Sequence, residues 1–192
     1  MAVGAWLWLE PVRRSRGADV VFGVLLACVL LLLAWREGFP SAEEAGLSPV
    51  RPPLRSIARS LASVLPLLAA VVAWGGATGR LYASPDLPRA LLTYPLGALV
   101  QDAVVFVFIL PRVEVAAGRR AAVPVTALLF GLVHLPNPLL TAGSALLVLV
   151  LSRGWRRDPR SLLALAAAHG VLGAVCDKAI HVSMRVGAGY FG

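Results

Sequence analysis

The sequence predicts an all-α fold, a polytopic membrane bundle of about six transmembrane helices. Hydrophobic residues make up 58% of the 192 residues, charged residues make up 15%, and the mean hydropathy is +0.79. These values are far from those of soluble domains. Apolar runs of about the length needed to cross a bilayer recur along the chain, separated by arginine, proline and glycine. The composition therefore excludes an ordinary soluble protein and indicates a multi-pass protein of the cell membrane.

Six candidate spans can be placed on the chain. They are Ala18 to Trp35, Ser60 to Thr78, Ala90 to Pro111, Ala121 to Leu135, Leu139 to Leu151, and Ser161 to Val175. The stretch Gly75 to Gly79 predicts a helix stop, and Pro136 and Pro138 predict a tight reversal between the fourth and fifth spans. These two spans are short for a full crossing. They form either a tilted hairpin packed within the protein or helices a few residues longer than these bounds.

The connections between the spans carry the charge. The formal charge of +8 comes from arginine, apart from Lys178, and it is spread over several connections, including the predicted loops Arg36 to Arg59 and Arg153 to Arg160. This distribution indicates contact with anionic lipid headgroups and argues against nucleic-acid binding. The difference in basic residues between alternate connections is modest and leaves the orientation open. With no internal repeat and no long polar block, the prediction is one membrane-embedded domain over residues 1–192.

The start of the chain and its cysteines limit the interpretation further. The first span is followed by Trp35, Arg36 and Glu37 rather than by small residues, which predicts a retained anchor and not a cleaved signal peptide. Cys28 and Cys176 both lie in apolar sequence. They therefore predict packed thiols and no disulfide framework.

Four polar side chains interrupt the apolar spans. Gln101 and Asp102 lie in the middle of the third span, His134 lies near the end of the fourth, and His169 lies in the sixth. An ionisable side chain near the bilayer centre costs roughly 2.5–3.5 kcal/mol on insertion scales, so it is retained mainly where it faces the protein and finds a partner. The three segments are therefore predicted to meet around one buried polar site.

The neighbours of the two histidines indicate where their rings point. Phe130 precedes His134 by one helical turn, and Gly173 follows His169 by one turn. Residues with this spacing share a helix face, so each imidazole lies beside an aromatic or a small residue. Gly173 is predicted to leave space next to His169.

Three kinds of site fit these residue types. A carboxylate near two imidazoles supplies the acid and base groups that activate water for peptide hydrolysis. Asp102, His134 and His169 would also form a ligand set for a divalent metal such as zinc. Simple hydrogen bonding between helices is the third interpretation, and it is the favoured one for Gln101. A small transporter would explain buried polar groups as well, but neither an inverted repeat nor a broken helix pair is evident.

Two segments resemble motifs of the CAAX protease and bacteriocin-processing family, also called the CPBP or Abi family. Leu128 to Pro138 is similar to its second motif, in which His follows Phe by four residues, and Leu165 to Val175 is similar to its third. Gln101 and Asp102 fall where that family usually has a pair of glutamates. The resemblance covers about residues 90–175. The ending Met184 to Tyr190 also resembles the tail of some bacterial members.

The resemblance implies a multi-spanning intramembrane endopeptidase that acts on membrane-associated proteins or peptides, here in a bacterial inner membrane. It implies catalytic roles for His134 and His169, and it matches Gln101 and Asp102 to the two glutamates. The family's arginine four positions after the second glutamate is replaced by Phe106, and its asparagine four positions after the second histidine is replaced by Gly173. The family's first motif, which contains the pair of glutamates, is therefore divergent in this chain.

These departures leave two principal hypotheses. In the first, the protein is a divergent endopeptidase in which Asp102 takes over the role of the base, since the Gln101 amide cannot accept a proton, and His134 helps to bind water. In the second, the site is inactive and the bundle binds a membrane partner as an immunity, sorting or assembly factor. Membrane lipids are expected partners in both cases.

Overall fold

The computed structural model describes residues 32, 36, 54–82, 84–157, 161–180, 182–184 and 186. All regular structure in this part of the chain is helical, which confirms the predicted all-α membrane bundle. The helices are α1 (Leu54–Ala77), α2 (Leu87–Asp102), a π-helical segment (Ala103–Ile109), α3 (Leu110–Leu132), α4 (Pro138–Arg157) and α5 (Leu162–Lys178). Apart from Leu32, the first predicted span lies outside the described residues, as does most of the loop that follows it.

Three helical stretches within the described residues are long and apolar enough to cross a membrane. They are Ala58–Ala77, Leu87–Leu132 and Pro138–Arg157. The shorter helix α5 is buried on many sides, because eight of its residues, from Leu162 to Ala174, have little exposed surface. A helix that is apolar around its whole circumference belongs in the core of a bundle. α5 packs against α1, α2 and α4, and α3 packs against α4. The predicted number of about six spans stays a prediction.

The third and fourth predicted spans are separate helices that meet at a break at Gly118, within the predicted connection between Pro111 and Ala121. Pro111 lies in the first turn of α3, where its missing N–H costs least. The chain bends instead at Gly118, whose φ of 78° and ψ of 159° are non-helical. Only glycine adopts such a conformation without strain.

The predicted loop Arg153 to Arg160 is wrong in its first half. α4 continues to Arg157, so the fifth span is longer than predicted, as the alternative of tight bounds allowed. Arginine is a good helix former, and its charge is favourable at the C-terminal end of a helix. The other helix ends differ by smaller amounts. α1 begins at Leu54 instead of Ser60, and α5 extends past Val175 to Lys178.

The reversal between α3 and α4 is held by Asn137. Its Oδ1 accepts a hydrogen bond of 3.1 Å from the Leu140 N–H, and its Nδ2 donates a bond of 2.6 Å to the Ser183 carbonyl oxygen. The first bond caps the N-terminus of α4. The second ties the segment after α5 to this turn. Both bonds lie at the end of the bundle that contains His134.

Candidate active site

Asp102 and His169 form a hydrogen-bonded pair across two helices. The Asp102 Oδ1 lies 2.9 Å from the His169 Nδ1, joining the last residue of α2 to the middle of α5. Asp102 is only 2% exposed. When Asp102 is ionised, its carboxylate can only accept a hydrogen bond, and the His169 Nδ1–H donates it while the Nε2 carries the lone pair. The pair therefore orients the His169 ring.

The remaining oxygen of Asp102 has no such role. Its Oδ2 is buried and has no hydrogen-bond partner in the part of the chain that the structure describes. The π-helical segment starts at the next residue, and its end is marked by a bond from the Leu110 N–H to the Val105 carbonyl oxygen, five residues back. Such irregular turns often accompany functional sites.

His134 is held by its own helix end. Its Nδ1 lies 2.8 Å from the Phe130 carbonyl oxygen. A carbonyl oxygen only accepts, so the Nδ1–H donates here as well, and the Nε2 again carries the lone pair. The Phe130 ring makes edge-on contacts with both imidazoles, with centroids 4.9 Å from the His134 ring and 6.3 Å from the His169 ring. Phe130 therefore sets the position of one imidazole relative to the other.

A cavity of about 500 Å³ brings together Gln101, His134 and His169. Asp102 is not part of the cavity wall and lies behind His169. The predicted meeting of the three segments thus occurs, but Asp102 contacts the cavity through the imidazole alone. This placement does not suit the predicted role of Asp102 as the base that contacts water directly.

Gln101 faces the cavity as an exposed amide. It makes no side-chain hydrogen bond with any described residue, so it does not bridge two helices as the favoured interpretation predicted. Its neighbours on the same face of α2, Gly97 and Tyr94, line the same cavity. Sequence reasoning missed these two residues, although their positions four and seven residues before Gln101 place them on its helix face. Tyr94 is fixed by a bond of 2.6 Å from its hydroxyl to the Asp177 Oδ2.

Gly173 lines the cavity beside His169, as predicted, but the space is smaller than the sequence suggests. A Cβ at this position would lie 2.9 Å from the Tyr94 Cδ1. The glycine therefore also allows the Tyr94 ring to pack against α5.

A second, more apolar chamber of about 330 Å³ adjoins this cavity. Trp74, Leu172 and Cys176 line it, and His169 and Gly173 belong to the walls of both spaces. Cys176 is a free thiol packed among apolar side chains, as predicted. The imidazole of His169 therefore lies at the boundary between a polar cavity and an apolar chamber.

The structure does not assemble the predicted metal-ligand set. Among the described residues, no group of three or more His, Cys, Asp or Glu side chains is arranged to hold a metal ion. Asp102 uses Oδ1 to orient His169, and His134 uses Nδ1 for the Phe130 carbonyl. The third histidine of the chain, His181, lies outside the described residues.

Comparison with known proteins agrees with the predicted resemblance. Residues 83–175 match the family model Rce1-like, described as type II CAAX prenyl endopeptidase Rce1-like. No curated protein and no solved structure matches the chain. The matched segment contains Gln101, Asp102, His134 and His169. The similarity to Rce1-like proteins is therefore shown for residues 83–175, slightly less than half of the chain.

Proposed function

We propose that this protein hydrolyses peptide bonds of membrane-associated polypeptides, with His169 as the general base and Asp102 as the residue that positions it. The observation that carries the proposal is the buried hydrogen bond between Asp102 and His169 at the wall of a cavity that also contains His134. A carboxylate behind an imidazole stabilises the imidazolium that forms when the ring takes a proton. The family match supports the class of reaction.

The reaction begins with a water molecule between the two imidazoles. The Nε2 atoms of His169 and His134 accept its hydrogens, since the Nδ1 atoms of both rings are engaged elsewhere. The His169 Nε2 takes a proton as the water oxygen attacks the carbonyl carbon of the peptide. The carbonyl oxygen becomes an oxyanion, which the Gln101 amide N–H stabilises by donating a hydrogen bond. The His169 imidazolium then gives its proton to the leaving amine as the C–N bond breaks, leaving a carboxylic acid and an amine.

This assignment gives Gln101 a use that does not require an acid. The resemblance matches Gln101 to a glutamate that activates water, a role that an amide cannot fill. An amide N–H can donate a hydrogen bond, and Gln101 has no competing partner among the described residues. The base is then His169 and not Asp102.

We further propose that the substrate places an apolar group beside the bond that is cut. The apolar chamber shares His169 and Gly173 with the polar cavity, so a group bound there extends from the reacting carbonyl. A chamber lined by Trp74 and Leu172 favours an aliphatic or aromatic group. A lipid-modified residue, as in the substrates that the family description names, is one group with this chemistry.

The test is to co-express the full chain with candidate membrane proteins and measure their new termini by mass spectrometry. We expect the His169→Ala, His134→Ala and Asp102→Asn variants to lower the cleavage rate at least about 100-fold, the low end of what general acid and base groups contribute. Asp86→Asn is the matched control for Asp102, because it removes the same charge from an exposed loop residue. Equal cleavage by wild type and all three variants, at equal protein levels, would refute the proposal.

A second candidate is an inactive member that binds a membrane partner as an immunity, sorting or assembly factor. The neutral amide of Gln101 in the cavity, where the family resemblance expects an acid, favours this function. Gln101→Glu separates the two candidates. Cleavage that appears only in this variant indicates an enzyme that has lost its activity, whereas cleavage by the wild type that depends on His169 indicates an active one.

A further inference from the structure

Another cavity, lined by both apolar and basic residues, lies at the end of the bundle away from His134. It has a volume of about 480 Å³ and is lined by Arg59 from the start of α1, by Arg153 and Arg157 from the end of α4, and by Ser161 just before α5. Ser60 and Ser63 add further side chains to its wall. The three arginines around this hollow supply several hydrogen-bond donors and three positive charges.

These arginines have no acidic partner within the described residues. Arg59, Arg153 and Arg157 make neither an ion pair nor a hydrogen bond there. The nearby Arg156 differs, because it bonds to the Arg119 carbonyl oxygen at 2.7 Å and lies 3.9 Å from Glu114. The cavity therefore holds charge that nothing in the described chain balances.

The surroundings add to the positive potential. The described basic residues at or near this end of the bundle are Arg55, Arg59, Arg112, Arg119, Arg120, Arg153, Arg156 and Arg157, against Arg80, Arg89 and Lys178 near the other end. The N-terminus of α5, a helix of 17 residues, also lies at the cavity, where Ser161 precedes its first residue. The first N–H groups of a helix and its dipole both favour an anion.

We propose that this cavity binds a phosphate group. Arginine pairs with the oxygens of phosphate through two parallel hydrogen bonds, and basic hollows between membrane helices at the bilayer surface are suited to anionic lipid headgroups. The phosphate belongs either to the headgroup of an anionic phospholipid or to free inorganic phosphate. The site is separate from the Asp102 and His169 pair, and it does not depend on the proposed peptidase activity.

The experiment titrates the detergent-solubilised full chain with three probes and follows the thermal unfolding midpoint and the dissociation constant. The probes are short-chain phosphatidylglycerol, phosphatidylcholine of the same chain length, and inorganic phosphate. We expect phosphatidylglycerol or phosphate to raise the midpoint, and phosphatidylcholine, whose phosphate is neutralised by its own choline cation, to leave it unchanged; an equal rise with phosphatidylcholine would overturn the proposal. A response to phosphatidylglycerol alone assigns the site to a lipid headgroup, and a response to inorganic phosphate alone assigns it to the free ion. A response to both assigns it to the phosphate group whatever its source.

Two double variants separate the cavity from general surface charge. Arg153→Gln with Arg157→Gln should weaken binding about 30-fold, on the basis of two lost arginine contacts. Arg55→Gln with Arg120→Gln removes the same charge from the same end of the bundle but from outside the cavity, and should change the dissociation constant less than about threefold. Arg59→Gln alone, at an exposed residue, serves if the first double variant fails to fold. Equal losses in both double variants, or no binding of either phosphate probe by the wild type, would overturn the proposal.

Discussion

Gly170 packs directly against the backbone of Pro95, so α5 and α2 are in close contact at this point. A Cβ on Gly170 would lie 2.5 Å from the Pro95 Cα, which no real side chain tolerates. His169 immediately precedes Gly170, and Asp102 follows Pro95 by about two helical turns. The close approach therefore brings the His169 imidazole within reach of the Asp102 carboxylate, and it explains why a glycine follows the histidine.

Gly170→Ala is expected to destabilise the protein by about 1–3 kcal/mol, the usual cost of forcing an extra group into a packed interior. The clash is with backbone atoms of Pro95, which cannot rotate away as a side chain can. Gly143→Ala is the matched control, because a Cβ there meets nothing within 4 Å. It should stabilise α4 by up to about 1 kcal/mol. Thermal unfolding in detergent measures both, and a Gly170→Ala variant as stable as the wild type would contradict the close contact.

Gly118→Ala is expected to cost about 1–3 kcal/mol for a different reason. A Cβ at Gly118 meets no atom within 4 Å, but the φ of 78° and ψ of 159° are strained for any residue with a side chain. The loss of stability therefore comes from backbone strain and not from a packing clash. The same unfolding assay tests it against Gly143→Ala, which changes a glycine with equal free space in an ordinary helix. Equal stability of these two variants would mean that the bend in α3 does not need glycine.

Asn137→Ala is expected to destabilise the turn before α4 by about 1–2 kcal/mol, since it removes the cap on Leu140 and the bond to Ser183. Asn137→Asp keeps the capping oxygen but replaces the donor to Ser183 with a carboxylate oxygen, which the Ser183 carbonyl oxygen repels. Limited proteolysis should then cut the segment after α5 faster in both variants. If the aspartate variant is as resistant as the wild type, the bond to Ser183 does not hold that segment.

Gly143→Leu tests the apolar chamber, which Gly143 lines without contacting its opposite wall. A leucine side chain would fill part of the space next to His169. If the chamber receives an apolar group of the substrate, KM for substrates with a large apolar group should rise about tenfold or more, with a smaller effect on substrates that have a small group there. Gly76→Leu is the control, because that glycine also has free space but lines neither cavity described here. The same rise for both substrate classes would argue against the chamber as a binding site.

The helices themselves follow from local sequence, because apolar length, proline and glycine act within a few residues. The stop after α1 agrees with the run of glycines, where Gly79 has a φ of 67°. Local rules failed where a residue had two possible roles. Pro111 can end a helix or lie in its first turn, and Arg153 to Arg157 can form a loop or continue a helix whose end favours positive charge. In both cases the helix continues in the bundle.

The candidate site also combines features that the sequence predicted with features that depend on the tertiary structure. The sequence determined which polar groups are present in apolar helices and that they need partners, because burying an ionisable group without one is costly anywhere in the chain. Only the tertiary structure decided which partner each group has. It placed Asp102 behind His169, left Gln101 facing the cavity, and turned His134 toward the Phe130 carbonyl. These arrangements depend on the rotation of α2, α3 and α5 about their axes and on the close contact at Gly170. The rotations and distances of the helices depend on packing across the bundle. The sequence of a single helix does not specify that packing.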